Sequence, residues 1–225
     1  MSEKYLHPTR IILTDDGSNS LYSEKFNENY HSSFGAITES SHIFINNGLK
    51  RITADKINIL EVGFGTGLNC LLTFLELSNS FQMVRYETIE PYPIKPAILY
   101  QINYPSLLSS DAKELYDLII SSIWNNEVNI KSHGKLRKFH QKIEDFDFCR
   151  TYHLVYFDAF SPDIQPEMWS EAIFRKIYDA MLPEGILVTY SCKGTVKRTL
   201  KSVGFTIQKL AGPPGKREML LAKKI

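Results

Sequence analysis

INILEVGFGTGLNCLLTFLELS, residues 57–78, decides the fold. Residues 57–63 form an apolar run of strand length, residues 68–78 carry apolar side chains at helical spacing, and Gly63, Gly65 and Gly67 mark the junction. A strand that turns through glycines straight into a helix is the first half of a βαβ unit. The alternation continues downstream. MVRYETIE (83–90) reads as a second strand, residues 94–123 as mostly helical with Pro105 dividing them, and KLRKFHQKI (135–143) as an edge strand. HLVYFDAF (153–160) is a further buried strand, followed by a helix over PEMWSEAIFRKIYDAML (166–182) and a strand over GILVTYS (185–191). VKRTLKSVG (196–204) is a helix closed by Gly204, and FTIQKL (205–210) with EMLLAKK (218–224) ends the chain as a hairpin. Strands alternating with helices predict an α/β, Rossmann-like fold: a mostly parallel sheet with an antiparallel C-terminal hairpin.

Upstream of this pattern, RIILTDDGSNSLYS (10–23) places two short strands around an Asp16-Gly17 turn. ITESSHIFINNGL (37–49) has Ile37, Ser41, Phe44 and Ile45 at helical spacing and Asn47-Gly48 as a stop. Residues 1–50 are therefore expected to form a small extension packed on a catalytic domain of residues 51–225. With 225 residues, 43% of them hydrophobic and 23% charged, the chain has enough apolar material for one sizeable core. No apolar run reaches the roughly 20 residues of a membrane span, and MSEKYLHPTR lacks an apolar leader, so a cytoplasmic location is expected. Cys70, Cys149 and Cys192 are scattered and the six histidines lack close ligand spacing, so neither disulfides nor a metal is expected. Charge is uneven: residues 193–225 hold nine Lys or Arg and one acid, Glu218, a local +8 that leaves −7 for the rest against a net +1. This basic segment is either a polyanion-binding surface or a set of solvated faces.

Glycines between a strand and a helix let a ligand approach the backbone, and free amides at the helix start favour a polar or anionic group. Dinucleotide folds favour G-x-G-x-x-G, whereas this stretch is acid-x-G-x-G-x-G, with Glu61 ahead of the glycines. An acid is a poor neighbour for a pyrophosphate and suits a ligand that bears an ammonium and no phosphate. S-adenosylmethionine has both features. Glu61, Gly63, Gly65, Thr66, Gly67 and Asn69 form the expected cofactor turn, and Glu90, 23 residues after Gly67, is placed to take both hydrogen bonds of a ribose diol, with Glu87 as its competitor. Asp158 ends its buried strand in the same way. A carboxylate at that edge either has a task beside the cofactor or caps a turn.

EVGFGTGLNCLLTFL (61–75), YETIEPYPI (86–94), FDAFSPDIQPEMW (157–169) and GPPGKREMLLA (212–222), in this order, resemble the methyltransferase domain of MnmC, the bifunctional enzyme of tRNA wobble-uridine modification. YHSSFGAITESSHIFI (30–45) is similar to the stand-alone version of that domain, often called MnmD. The resemblance implies a class I methyltransferase that uses S-adenosylmethionine to methylate the primary amine of 5-aminomethyl-(2-thio)uridine at tRNA position 34. It implies that Asp158 faces the amine, that Glu61 and the three glycines bind the cofactor, and that Glu90 holds the ribose. MnmC's flavin oxidoreductase half has no counterpart in the sequence, so separate enzymes are expected to supply the aminomethyl uridine. One departure stands out: where the family has Gly-Asp-Ile near the adenine, this chain has Gln141-Lys142-Ile143, leaving Glu144 or Asp145 as substitutes.

Tyr30, His31 and Glu39 are expected to close the pocket or hold the uracil; the alternative is a capped helix start with a half-buried aromatic. Phe160, Pro162 and Trp169 flank Asp158 and read either as the acceptor wall or as core. Lys193, Lys197, Arg198, Lys216 and Arg217 are candidates for contacts with tRNA phosphates. A nicotinamide oxidoreductase, a methyltransferase of another amine and a non-catalytic RNA-binding module are the rival readings.

Overall fold

The computed structural model describes residues 9–78, 80–130 and 134–225, so the first eight residues of the expected extension lie outside it. The chain opens with an antiparallel sheet of β1 (Thr9–Leu13), β2 (Asn19–Ser23) and β3 (Glu28–Asn29). Its first turn falls at Asp16-Gly17, as the sequence predicts. The Asp16 carboxylate then reaches across to α1 (Ala36–Ser40), accepting hydrogen bonds from the Thr38 amide (2.9 Å) and hydroxyl (2.8 Å) while also holding the Ser18 amide (3.0 Å). Asp16 thus caps a helix that has no capping side chain of its own. α1 passes directly into a π-helical turn, Ser41–Asn46, where the sequence predicts continuous α-helix.

β4 (Lys56–Val62), α2 (Leu68–Leu77) and β5 (Met83–Ile89) follow as the glycine-rich stretch predicts. The helical region downstream is divided into α3 (Pro96–Leu99), α4 (Tyr104–Leu107) and α5 (Ala112–Ser121). Pro105 lies in the first turn of α4, where its missing N–H removes no helical bond. Next come β6 (Glu127–Ile130), β7 (Gly134–Phe139), β8 (Tyr152–Phe157), α6 (Glu171–Asp179), β9 (Met181–Thr189), α7 (Gly194–Val203), β10 (Thr206–Ala211) and β11 (Glu218–Lys223). They build one eight-stranded sheet of order β10-β11-β9-β8-β4-β5-β7-β6. The pairs β4/β5, β4/β8, β5/β7 and β8/β9 are parallel, while β6 and the C-terminal hairpin pair antiparallel.

Two expectations are corrected. The strand over 135–143 is not an edge: β7 is internal, and the edge is taken by β6, four residues too short to show a period. The helix expected over 166–182 is a 3₁₀ turn (Pro166–Trp169) followed by α6, because the sheet claims Met181 and Leu182 as the start of β9.

Alternation along the inner strands divides the core into two layers. Ile57, Ile59, Tyr86 and Tyr156 pack on the face covered by α2 and α5, and Leu60, Val62, Val155 and Phe157 on the face covered by α6 and α7. The N-terminal segment joins the first layer through Leu21, Ile43 and Phe44, and reciprocal Asn19–Asn103 hydrogen bonds (2.7 and 3.0 Å) anchor its hairpin.

Burial raises the Asp16 pKa, but hydrogen bonds from Ser18 and Thr38 outweigh it and leave the value at about 2, below the ordinary 3.8. Such a group contributes stability above its unfolded pKa and loses it as pH falls through the folded one. Asp16→Ala should therefore lower unfolding free energy by about 1–2 kcal/mol at neutral pH, with the gap closing as pH falls from 3.8 toward 2; denaturant melts at several pH values measure it.

Candidate active site

The C-terminal ends of β4, β5 and β8 lie side by side, and the loops that leave them meet around a cavity of about 470 Å³. Ligands of open parallel sheets sit at this edge. Two glycines explain how the loops come so close. Gly63, at φ +94°, donates its N–H to the Ile89 carbonyl (3.0 Å), and a Cβ there would collide with the carbonyl oxygen of Asp158. Gly65, at φ +52°, donates to Glu90 Oε2 (3.2 Å), and a Cβ there would press on the Tyr30 ring at 3.2 Å. Thr66 is held from behind, its hydroxyl bonded to the Tyr104 hydroxyl (3.1 Å) and its carbonyl accepting from the Tyr116 hydroxyl (2.9 Å).

Glu90 is steered by backbone. Tyr92 N–H donates to its Oε1 (2.8 Å) while Gly65 holds the other oxygen, so the carboxylate faces the cavity with lone pairs left for a diol. Burial raises its pKa against the lowering effect of those amides. Asp158, one residue beyond β8, accepts from Asn69 Nδ2 at 2.9 Å, a residue supplied by the first turn of α2. Burial pushes the Asp158 carboxyl up to about 7; the Asn69 bond opposes the rise, Glu39 adds to it and Lys216 opposes it.

The far wall comes from both ends of the chain. Glu39 of α1 accepts from the Ser32 amide (2.7 Å) and from Lys216 Nζ (2.6 Å), and the same ammonium lies 4.2 Å from the centre of the Tyr190 ring. Tyr190 donates its hydroxyl to the Ala159 carbonyl (2.9 Å). Phe160 meets Phe26 (centroids 4.6 Å) and Tyr30 (5.0 Å). His31 lines the cavity with its Nδ1 2.9 Å from Ser20 Oγ, and burial lowers its pKa to about 4, so it is neutral at pH 7.

Gly63, Gly65, Thr66, Asn69, Glu90, Asp158, Tyr30, His31, Glu39 and Phe160 line one cavity, and so does Lys216, which the sequence reading assigns to tRNA phosphates. Gly67 closes the turn into α2 behind the Phe64 ring and does not line the cavity. Other expected members also lie elsewhere. Trp169 is buried behind the Asp158 loop, packed on Phe157 (4.9 Å) with its Nε1–H donated to the Phe160 carbonyl (2.9 Å), so it supports the wall without forming it. Pro162 and Arg217 do not line the cavity, Lys193 is ion-paired with Asp163, and Glu61 lies beneath the glycine turn, fully buried. Lys142 and Glu144 line the cavity and Asp145 does not. Phe26, Glu28, Tyr92 and Tyr190 are lining residues that the sequence reading missed. Tyr190 ends β9 as Asp158 ends β8, so the same edge rule would have found it; Phe26 and Glu28 arrive from a distant hairpin with no local signal.

The lining holds six acids (Glu28, Glu39, Glu90, Glu144, Asp158, Glu167) and two lysines, Lys142 and Lys216. That donor set repels a pyrophosphate and fits a nucleoside ligand that is cationic and phosphate-free, as S-adenosylmethionine is. Among the described residues there is no group of three or more His, Cys, Asp or Glu disposed to hold a metal, and no helix is long and apolar enough to cross a membrane.

Residues 123–225 match the model of a family described as S-adenosyl-L-methionine-dependent methyltransferase. The chain is 29% identical, over 98% of its length, to the tRNA 5-methylaminomethyl-2-thiouridine biosynthesis bifunctional protein MnmC of Cupriavidus metallidurans, and 25% identical over 96% to that of Burkholderia mallei. It spans about one third of these relatives, 34% and 35% of their lengths. The crystal structure of MNMC2 from Aquifex aeolicus superposes with a TM-score of 0.79 at 25% identity, covering 97% of this chain and 71% of that one. The methyltransferase SibL, at 12% identity and a TM-score of 0.50, shares the fold. The glycine turn, the acidic cavity and a likeness that extends along nearly the whole chain converge: the chain is similar to part of MnmC, and its residues 123–225 match the S-adenosyl-L-methionine-dependent methyltransferase model.

Proposed function

We propose that this methyltransferase acts on tRNA, converting 5-aminomethyl-(2-thio)uridine at wobble position 34 to its 5-methylaminomethyl form. The relatives named for 5-methylaminomethyl-2-thiouridine biosynthesis support the substrate, and one observation carries the chemistry: a carboxyl with a pKa near 7, Asp158, projects into an acidic cavity. S-adenosylmethionine supplies an activated methyl group on a sulfonium. The protein has to hold an amine in line with it and keep the nitrogen lone pair free.

Glu90 binds the ribose diol, and the Gly63–Gly67 turn admits the rest of the nucleoside against its backbone. Asp158 hydrogen-bonds the amine and accepts its proton, directly or through water, as the new N–C bond forms. Asn69 fixes the carboxylate for that task. A proton acceptor with a pKa near the working pH is ionised often enough to act and basic enough to take the proton. Tyr30 and Phe160 offer ring faces and edges to the uracil, with Glu39 and Lys216 at its polar side. Wobble bases lie in a loop, so extrusion into the cavity breaks no pair.

For the tRNA backbone, Lys197 of α7, Lys209 of β10 and Arg217 gather around Glu218 next to the Lys216 wall. With Arg198 they form the phosphate-contacting face, whereas Lys193 and Lys216 are engaged by Asp163 and Glu39. The N-terminal extension, described from residue 9, completes the wall, separate enzymes install the aminomethyl group beforehand, and the reaction takes place in the cytoplasm.

Incubation with S-adenosylmethionine and tRNA bearing the aminomethyl uridine, followed by nucleoside mass spectrometry, should show the gain of one methyl. Methylation of free amines or proteins with none on tRNA would overturn the substrate. Asp158→Asn should cut turnover by about 100-fold or more while S-adenosylhomocysteine affinity, read by calorimetry, stays within about threefold. Wild-type turnover should rise with pH through about 7, the Asp158 value. Because that value is raised from 3.8, the native state loses stability as pH climbs between the two, so Asp158→Asn should be progressively more stable than wild type over that window. Binding of tRNA should weaken steeply with salt, and Lys197→Glu with Arg217→Glu should flatten the slope.

A further inference from the structure

Glu61 lies on the α2 side of β4, where its strand neighbours in the register are Thr88 of β5 and Tyr156 of β8. Its side chain has no exposed surface and does not line the cavity. Neither carboxyl oxygen has a partner in full hydrogen-bond geometry, although the Thr88, Asn69 and Tyr86 side chains lie close enough to oppose its pKa rise, and no cation pairs with them among the described residues. The polar side chains beside it are Thr88, Asn69 and Tyr86, and three of their buried oxygens, Thr88 Oγ1, Asn69 Oδ1 and Tyr86 O–H, are equally unpartnered. Five unpartnered oxygens in one buried cluster, with one amide of that cluster bonded to Asp158, call for a physical explanation.

An ionised carboxylate here would be desolvated by several kcal/mol with no cation to offset it. A neutral acid avoids that cost, and its proton supplies a donor for the Asn69 Oδ1, which cannot donate, whereas the Thr88 and Tyr86 hydroxyls can donate or accept. We propose that Glu61 keeps its proton in the working enzyme and acts as a positioning residue, holding the Asn69 amide in the orientation that hydrogen-bonds Asp158, instead of serving as a carboxylate that faces the cofactor. Asn69 Nδ2 already donates to Asp158, so its Oδ1 is the acceptor that the Glu61 proton satisfies. Were Glu61 charged, the amide would be drawn to turn its N–H₂ toward it, and Asp158 would lose its donor. Burial raises the Glu61 pKa well above the ordinary range, with Thr88, Asn69 and Tyr86 opposing the rise and Asp158 adding to it.

The titratable groups packed around Glu61 agree with a neutral state. Tyr86 on β5, Tyr156 on β8, Cys70 on α2 and Asp158 are each neutral or negative. The buried Lys138 on β7 faces Cys70 and donates to the Ile119 (2.8 Å) and Ile120 (3.3 Å) carbonyls of α5. The two carboxyls of the site are therefore divided by environment: Glu61 stays an acid so that Asp158 can be a base. This consequence rests on the proposed role of Asp158, but the protonation state of Glu61 does not.

Carboxyl-¹³C NMR of Asp/Glu-labelled protein tests it without tRNA or turnover, so an error in the substrate leaves the result intact. The Glu61 resonance, identified by its loss in Glu61→Gln, should not titrate between about pH 5 and pH 8. Glu61→Leu should move the Asp158 midpoint upward by roughly half a unit or more, Glu61→Gln should restore it, and Glu61→Leu should add nothing once Asn69 is Ala. S-adenosylhomocysteine should bind Glu61→Gln within about threefold of wild type. A Glu61 resonance that titrates below neutral pH, or a tenfold or greater loss of ligand affinity in Glu61→Gln, would overturn the proposal in favour of a cofactor-facing carboxylate. If Glu61→Leu fails to fold, the wild-type titration and Glu61→Gln still decide between the two.

Discussion

Everything in the site depends on the approach of two backbones, the turn after β4 and the loop after β8. Gly63 has no Cβ, so the Asp158 carbonyl can occupy the space beside it; the Asp158 amide then bonds the Val62 carbonyl (2.9 Å) while the Gly63 amide bonds Ile89. Those contacts extend the sheet's own ladder one residue past the strands. This main-chain frame brings the loops that carry Asp158 and Glu90 beside the turn into α2, where Asp158 accepts from Asn69 Nδ2 and Glu90 from the Gly65 amide.

On that frame the electrostatics follow from depth. Glu90 at the cavity wall keeps two amide donors, Asp158 half-buried keeps one amide and a distant lysine, and Glu61 beneath them keeps none. Burial raises the pKa of all three, opposed by backbone amides at Glu90 and by Asn69 at Asp158. Lys216 faces this array from the wall, where its pairing with Glu39 and the Tyr190 face holds it.

The sequence made most of this frame readable because a parallel strand that ends in glycine or acid reports its own geometry. β4, β5 and β8 are legible as strands, and the residue just past each C-terminal end, Gly63, Glu90 or Asp158, lines the cavity. Reading failed where neighbours in space are remote in the chain. β6 is four residues long and has meaning only through β7, and Phe26 enters the cavity on a hairpin about 130 residues from its ring partner Phe160. Trp169 stays open in the sequence between wall and core for a related reason: proximity to Asp158 in sequence says nothing about which side of the loop an indole occupies, and the Phe157 and Phe174 rings take it inward. Glu61 was correctly singled out as unusual, but alternation along β4 turns it beneath the loop and away from the ligand.

The Lys216–Glu39 pair joins residues 177 positions apart and closes the wall between the two ends of the chain. Contacts of such separation form late, after the loop between them has been closed at an entropic cost. During synthesis, the sheet strands, the glycine turn and Asp158 all emerge before the residue that shuts the cavity. A chain still on the ribosome therefore carries Asp158 but not the finished wall around it, and the cavity closes only once Lys216 has been made.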